Sequence, residues 1–111
     1  MDHIRQLFRF SGVLCRWESR DKTVTGRAVI CPMDRGDRRT GKIYDEAEGV
    51  AGVQLYLFYG DRTFSGMRRG DTVREKNAEY DVVWTEENSS PMGWYLRVGI
   101  RKKEGGDERV V

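Results

Sequence analysis

The stretch Trp94-Tyr-Leu-Arg-Val-Gly-Ile-Arg101 decides the class of fold, because its apolar residues recur at every second position. Such alternation predicts a half-buried antiparallel strand. Residues 53–101 as a whole predict a run of such strands joined by glycine-marked turns. The sequence therefore predicts a mainly β protein, built as a small antiparallel β-barrel or sandwich. The residues expected on the inward face of the last strand are Trp94, Leu96, Val98 and Ile100.

About six strands are predicted in total. Residues 13–18 and 24–33 flank a short polar turn and predict a hairpin, with Pro32 at a sheet edge or at the end of its strand. A second hairpin is predicted around Asn77-Ala78. Residues 86–93 predict a polar loop before the last strand. The residues expected to face inward after the second hairpin turn are Tyr80, Val82 and Trp84.

Residues 53–59 are apolar at nearly every position, so both faces of this strand are expected to be covered. A short N-terminal helix over residues 3–10 is the expected cover for the second face. Its apolar stripe consists of Ile4, Leu7 and Phe8, spaced as on one side of a helix. If the helix lies elsewhere, the second face of the strand is expected to contact a partner.

The 111 residues suit a single β-rich domain over residues 1–103, followed by a flexible C-terminal tail over residues 104–111. Residues 34–52 predict a long polar loop, which in a compact domain is usually functional or disordered. The sequence contains no apolar run of membrane-spanning length and no secretory signal. These features predict a protein that stays in the cytoplasm or is assembled there into something larger.

No pattern of residues predicts catalysis or a cofactor. The single histidine, His3, has no predicted partner, and Cys15 and Cys31 lie in apolar strand-like segments. Two cysteines and one distant histidine do not make a zinc site. The cysteines are expected to be reduced and buried, although a disulfide is possible if their strands are neighbours. No enzyme activity, no metal and no cofactor are therefore expected.

Charged residues are the candidates for partner binding. The net charge is only +2, which is too balanced to predict nucleic-acid binding on its own. A basic stretch and an acidic stretch both lie in the long loop, and a second basic pair follows in residues 68–69. A third basic cluster occupies residues 101–103. The candidate residues are Arg35, Arg38, Arg39, Lys42, Asp45, Glu46, Glu48, Arg68 and Arg69.

Several segments resemble the head–tail connector, tail-completion and minor tail proteins of phages and prophages. The resemblance is carried in order by the predicted short helix at residues 3–10, by Gly-Arg-Ala-Val-Ile-Cys-Pro-Met at residues 26–33 and by Leu-Tyr-Leu-Phe-Tyr-Gly at residues 55–60. It continues with Met-Arg-Arg-Gly-Asp-Thr-Val at residues 67–73, Glu-Tyr-Asp-Val-Val at residues 79–83 and the last strand. It implies a virion structural protein, found in the virion or the bacterial host cytoplasm.

The same resemblance implies that the β-barrel assembles into a homo-oligomeric ring and binds other phage head–tail or tail proteins. The long loop 34–52, the N-terminal helix and the C-terminal tail would then reach between neighbours. A ring uses two different patches of each subunit. The basic residues 35–42 and the acidic residues 45–48 are candidates for those patches, because they carry opposite charges.

Two alternatives remain open at this point. Basic clusters together with Trp17, Tyr56 and Trp84 are compatible with a small nucleic-acid-binding barrel of the OB or SH3-like type, although Trp84 is expected inside. A regulatory or adaptor domain could instead bind a peptide along an open sheet edge.

Overall fold

The computed structural model describes residues 12–33 and 54–103. Within these ranges the chain forms six antiparallel strands and one 3-10 helix. The predicted N-terminal helix, the long loop 34–52 and the C-terminal tail lie outside the described residues. The elements are β1 (Val13–Glu18), β2 (Thr23–Pro32), β3 (Leu55–Gly60), the 3-10 helix (Arg62–Phe64), β4 (Thr72–Glu75), β5 (Ala78–Ser90) and β6 (Gly93–Lys102).

The six strands close into a barrel in the order β1-β2-β3-β6-β5-β4. The closing pair is β1 with β4, in which Trp17 lies opposite Val73. The predictions of a mainly β fold and of six strands are confirmed, and of the two predicted architectures the chain forms the barrel. Closure also gives every strand a hydrogen-bonded neighbour on both sides, which leaves no whole strand as an open edge.

The interior of the barrel holds the main hydrophobic core. Leu96, Val98 and Ile100 of β6 are all buried there, as the alternation in the sequence predicts. Phe58 of β3 lies opposite Val98, so both point inward. The core is continuous around the barrel, and its other members are Cys15, Trp17, Ala28, Phe64, Met67, Val73, Tyr80 and Val82.

An irregularity in β5 reverses the side on which Trp84 lies. Val82 pairs with Ile100, but Trp84 pairs with Gly99, so Val83 is an extra residue and forms a β-bulge. A bulge moves every later side chain of its strand to the opposite face. Trp84 packs on the outer face instead of the core, and the prediction that it faces inward is wrong. Tyr80 precedes the bulge and is buried in the core as predicted.

The predicted polar loop at residues 86–93 is also wrong. β5 continues to Ser90, β6 begins at Gly93, and only Pro91 and Met92 form the turn. The Ser90 hydroxyl donates to the Gly93 carbonyl at 2.9 Å and accepts from the Met92 amide at 3.2 Å. Residues 88–90 and 93–95 pair only with each other, so they form a two-stranded hairpin arm beyond the closed part of the barrel.

The 3-10 helix fills the barrel end from which the hairpin arm extends. Asp61 caps this helix by accepting from the Thr63 amide at 2.8 Å. Phe64 inserts into the core, where its ring meets Phe58 edge-on with 5.0 Å between centroids. A side chain at Gly60 would collide with both rings, because its Cβ would lie 2.8 Å from Phe64 and 2.9 Å from Phe58.

We expect Gly60→Ala to lower the free energy of unfolding by about 1–3 kcal/mol, since two buried rings would have to move for one methyl group. Urea denaturation monitored by tryptophan fluorescence measures the change. Gly70→Ala serves as a comparison without a steric clash, because nothing lies within 4 Å of the added Cβ. Any loss of stability there comes from the φ of +97°, which is strained for alanine. Unchanged stability of Gly60→Ala would contradict the packing of Phe64.

Candidate functional site

An open cleft of about 660 Å³ lies at the same barrel end as the hairpin arm. One wall is the turn between β1 and β2, and the other is the segment that leads into β4. We call it the arginine cleft, because three arginines from these two segments line it. The lining residues are Glu18, Ser19, Arg20, Arg68, Arg69, Gly70, Asp71 and Thr72.

The wall that carries Arg68 and Arg69 is held by the buried carboxylate of Asp71. Its Oδ2 accepts from Trp17 Nε1 and from the Arg68 amide, both at 2.9 Å. The Asp71 amide in turn donates to the Arg68 carbonyl at 3.0 Å. Trp17 is itself a core residue, so this turn is anchored to the barrel interior. The backbone beneath the two arginines is therefore fixed, while their side chains are exposed.

The opposite wall is tied to the same tryptophan. The Ser19 amide donates to the Lys22 carbonyl at 2.9 Å and closes the turn that carries Arg20. Lys22 Nζ lies 4.8 Å from the centroid of the Trp17 ring, a cation–π contact. Both walls thus contact the same buried side chain.

The two carboxylates that line the cleft, Glu18 and Asp71, form no ion pair with its arginines: Asp71 accepts from Trp17 Nε1 and the Arg68 amide instead. Glu18 forms ion pairs with Arg16 at 3.0 Å and with Arg74 at 3.1 Å. The hydrogen bond that Arg74 donates to Glu18 is the largest of the effects that raise the pKa of Arg74. Because Glu18 already has two cationic partners, the positive charge of the cleft arginines is available to a ligand.

Arg20, Arg68 and Arg69 are exposed and form no ion pair with any residue in the described ranges. The remaining described arginines all have a partner. Arg16 and Arg74 pair with glutamates, Arg97 with Glu86 at 2.8 Å, and Arg101 with Asp81 at 3.1 Å. Arg27 donates to the Gly12 carbonyl, and Arg62 lies over the Trp94 ring.

The structure brings together two of the predicted partner-binding residues, Arg68 and Arg69. It adds Arg20, which is not among the residues predicted from the sequence. The one sequence feature that could have indicated Arg20 is its position in the polar turn of the first hairpin. The other predicted residues lie outside the described ranges. These are Arg35, Arg38, Arg39, Lys42, Asp45, Glu46 and Glu48.

The third basic cluster, residues 101–103, is largely neutralised. Arg101 pairs with Asp81, and Lys103 Nζ lies 2.6 Å from Glu79 and 3.4 Å from Asp81. The hydrogen bond from Lys103 lowers the pKa of Glu79. Lys102 alone in this cluster has no acidic partner among the described residues. This surface is therefore a network of exposed ion pairs and offers little free positive charge.

A second hydrophobic cluster lies on the outside of the barrel. Leu55 and Leu57 of β3 alternate with the inward residues of that strand, yet Leu55 is fully buried and Leu57 is 8% exposed. The prediction that both faces of β3 are covered is confirmed for these two side chains. The predicted cover, the helix over residues 3–10, lies outside the described ranges. The other members of the cluster are Cys31, Met33, Tyr59 and Trp84.

Arg97 borders this outer cluster. Its guanidinium lies 5.2 Å from the centroid of the Trp84 ring and pairs with Glu86. Its buried Nε has no hydrogen-bond partner. Tyr59 lies opposite Arg97 in the sheet, and burial raises the pKa of the Tyr59 hydroxyl. Trp84 and Arg97 thus cover part of the outer face of β6, where Gly99 has no side chain to do so.

Within residues 12–33 and 54–103 no three His, Cys, Asp or Glu side chains lie close enough together to hold a metal ion. In the same ranges no helix is long and apolar enough to cross a membrane. Cys15 and Cys31 are both free thiols. They cannot approach each other as a disulfide, because Cys15 faces the interior and Cys31 the outer cluster.

The two thiols are expected to differ in reactivity. Burial raises the pKa of both thiols. The pKa of Cys15, to which Glu75 makes a smaller contribution, rises to about 12. Since the thiolate is the reactive form, we expect iodoacetamide at pH 8 to label Cys31 first and Cys15 only on unfolding. Mass spectrometry of a time course measures both sites. Equal labelling in the folded protein would contradict the interior position of Cys15.

Comparison with protein-family models, with curated proteins and with solved structures finds no match to this chain.

Proposed function

We propose that this chain is a virion structural protein of a phage or prophage, a head–tail connector or a tail-completion or minor tail subunit. It acts by ring assembly and by contacts with other phage proteins, without catalysis and without a cofactor. The proposal combines the resemblance of its segments to those proteins with the surface of the barrel. It places the protein in the virion or in the cytoplasm of the bacterial host.

The observation that carries the proposal is a closed barrel with two unlike binding features. The hairpin arm extends beyond the barrel, and the arginine cleft is a fixed concave site with unneutralised charge. A ring subunit needs two different contact patches, because its contacts are heterologous, and the arginine cleft is suited to be one of them. Barrel closure also argues against the adaptor that binds a peptide along an open edge, since each strand already has two neighbours.

A nucleic-acid-binding barrel is the second candidate, and the arginine cleft is the observation that favours it. Two features of the described residues argue against it. Outside the cleft, ion pairs hold Arg16, Arg74, Arg97, Arg101 and Lys103, and no described tryptophan or tyrosine is fully exposed for base stacking. Trp17 lies in the core, Tyr56 packs against the core, and Arg97 covers Trp84.

Sequencing the DNA that flanks this gene tests the leading proposal. We expect neighbouring genes for a portal, a capsid protein or a tail tube. Neighbours that encode replication or regulatory proteins would contradict the proposal and favour the second candidate.

A salt titration separates the two candidates at the level of the protein. A nucleic-acid binder should bind a 20-nucleotide DNA duplex or single strand with an affinity that falls steeply as the salt concentration rises. For a virion structural subunit we expect no such binding at 150 mM salt. Fluorescence anisotropy of a labelled oligonucleotide measures it, and tight, salt-sensitive binding would favour the second candidate.

A further inference from the structure

The arginine cleft and the connection between Met33 and Leu55 lie at opposite ends of the barrel. The arginine cleft lies at the end that carries the β1–β2 turn. β2 leaves that end at Thr23 and runs for ten residues, roughly 30 Å along the strand, before Met33. Met33 and Leu55 are hydrogen-bonded neighbours at the opposite end. Residues 34–53, which connect them, therefore leave and re-enter the described barrel at the end far from the cleft.

The connecting residues contain the densest acidic stretch of the chain. Asp45, Glu46 and Glu48 place three carboxylates within four residues. The arginine cleft offers three guanidinium groups on two fixed turns. Arginine binds carboxylates through two parallel hydrogen bonds, and such charge-assisted bonds are stronger than neutral ones. The number and sign of the charges match.

We infer that the arginine cleft of one copy of this chain binds the acidic stretch of residues 45–48 of a second copy. Because the segment that contains residues 45–48 joins the barrel at the end far from the cleft, the contact between two copies is head-to-tail. Such a contact is heterologous and leaves a free cleft at one end of a pair and a free acidic stretch at the other. This inference deepens the proposed function, on which it rests for the expectation of a ring.

The observations favour a short acidic segment over a phosphate backbone as the occupant. A nucleic-acid site is usually an extended basic stripe along one face. Here Arg20, Arg68 and Arg69 are grouped around one cleft, and the two arginines that flank it, Arg16 and Arg74, are paired with Glu18. A compact cleft with three charges fits a segment of a few residues.

Two full-length variants separate the halves of this contact. The cleft variant carries Arg20→Gln, Arg68→Gln and Arg69→Gln and keeps the acidic stretch. The acid variant carries Asp45→Asn, Glu46→Gln and Glu48→Gln and keeps the cleft. Neither can form the contact with itself. A control variant carries Arg27→Gln, Lys76→Gln and Lys102→Gln, which remove the same charge from exposed sites outside the cleft.

The test is an NMR titration of the isotope-labelled acid variant with the unlabelled cleft variant. We expect saturable amide shifts at Arg20 and at residues 68–71, and an affinity that weakens at least about tenfold between 50 and 500 mM salt. The labelled cleft variant titrated with the unlabelled control variant should show no shifts at those residues. Absence of cleft shifts in the first titration up to millimolar concentration would overturn the inference.

A third titration distinguishes the other class of partner. Here a 20-nucleotide DNA is added to the labelled acid variant. If the DNA shifts the cleft amides, and addition of the unlabelled cleft variant leaves them unshifted, the inference is overturned in favour of a nucleic-acid site. Failure here is distinguishable from failure of the proposed function. Flanking portal, capsid or tail genes together with an unresponsive cleft would keep the virion protein and remove this contact.

Discussion

Val98→Asp is expected to remove most of the stability of the barrel. Val98 is fully buried in the core, opposite Phe58 on the neighbouring strand. A carboxylate there would lose its hydration without gaining a partner, so we expect the free energy of unfolding to fall by at least about 3 kcal/mol. That is a large share of the stability of an ordinary domain. Urea denaturation followed by far-ultraviolet circular dichroism measures the loss.

Two milder variants keep this test decisive if Val98→Asp does not fold at all. Val98→Thr retains the shape of valine and buries one hydroxyl, which should cost about 1–3 kcal/mol. Lys102→Thr lies on the same strand at an exposed position and should change stability by no more than about 0.5 kcal/mol. If the two threonine variants unfold at the same urea concentration, the assignment of the inner face of β6 is wrong.

Asp71→Ala is expected to have the second largest effect. The change leaves the buried indole N–H of Trp17 and the Arg68 amide without their acceptor. Unsatisfied buried donors each cost about 1–3 kcal/mol, so we expect a loss of about 2–4 kcal/mol in the free energy of unfolding. Asp21→Ala is the matched control, because Asp21 is an exposed aspartate in the turn of the opposite cleft wall.

A double-mutant cycle assigns the loss to the Trp17 contact. In a Trp17→Phe background the indole donor is already gone, so Asp71→Ala should cost less there than in the wild type. The difference between the two measurements is the coupling energy of the pair. A cost that is the same in both backgrounds would mean that Asp71 stabilises the turn only through the Arg68 amide.

The core faces of the strands could be predicted from the sequence because alternation is a local property. Leu96, Val98 and Ile100 follow the two-residue period without interruption, and each is buried as predicted. The position of Trp84 could not be predicted in this way. A bulge depends on the register between two strands, and nothing in the sequence around Val83 marks the extra residue.

Turn positions were predicted only approximately. The second hairpin turns at Lys76-Asn77 and not at Asn77-Ala78, with Lys76 at a φ of +56°. Asparagine adopts positive φ more often than lysine does. The sequence therefore predicts Asn77 as the first turn residue, one position later than the observed Lys76. The hairpin arm was missed because polar residues 86–90 carry no apolar alternation: their strand is held by pairing with β6 rather than by a buried face.

The candidate site was predicted only in part. Arg68 and Arg69 were identified from their adjacency, whereas Arg20 joins them through the closure of the barrel between β1 and β4. Nearly fifty residues separate Arg20 from Arg68, so no local pattern could connect them. The pairing of other arginines also depends on the register of the sheet. Asp81 lies opposite Arg101, and Glu86 lies opposite Arg97, on neighbouring strands.

Deleting this gene from the genome that carries it tests the central claim, the proposed phage or prophage role, most directly. After induction, electron microscopy of the lysate should show heads and tails that are present but not joined, or tails that are not completed, and a plasmid copy of the gene should restore intact particles. Intact, infectious particles in normal yield from the deletion strain would contradict the proposal that the chain is a head–tail connector or a tail-completion or minor tail subunit.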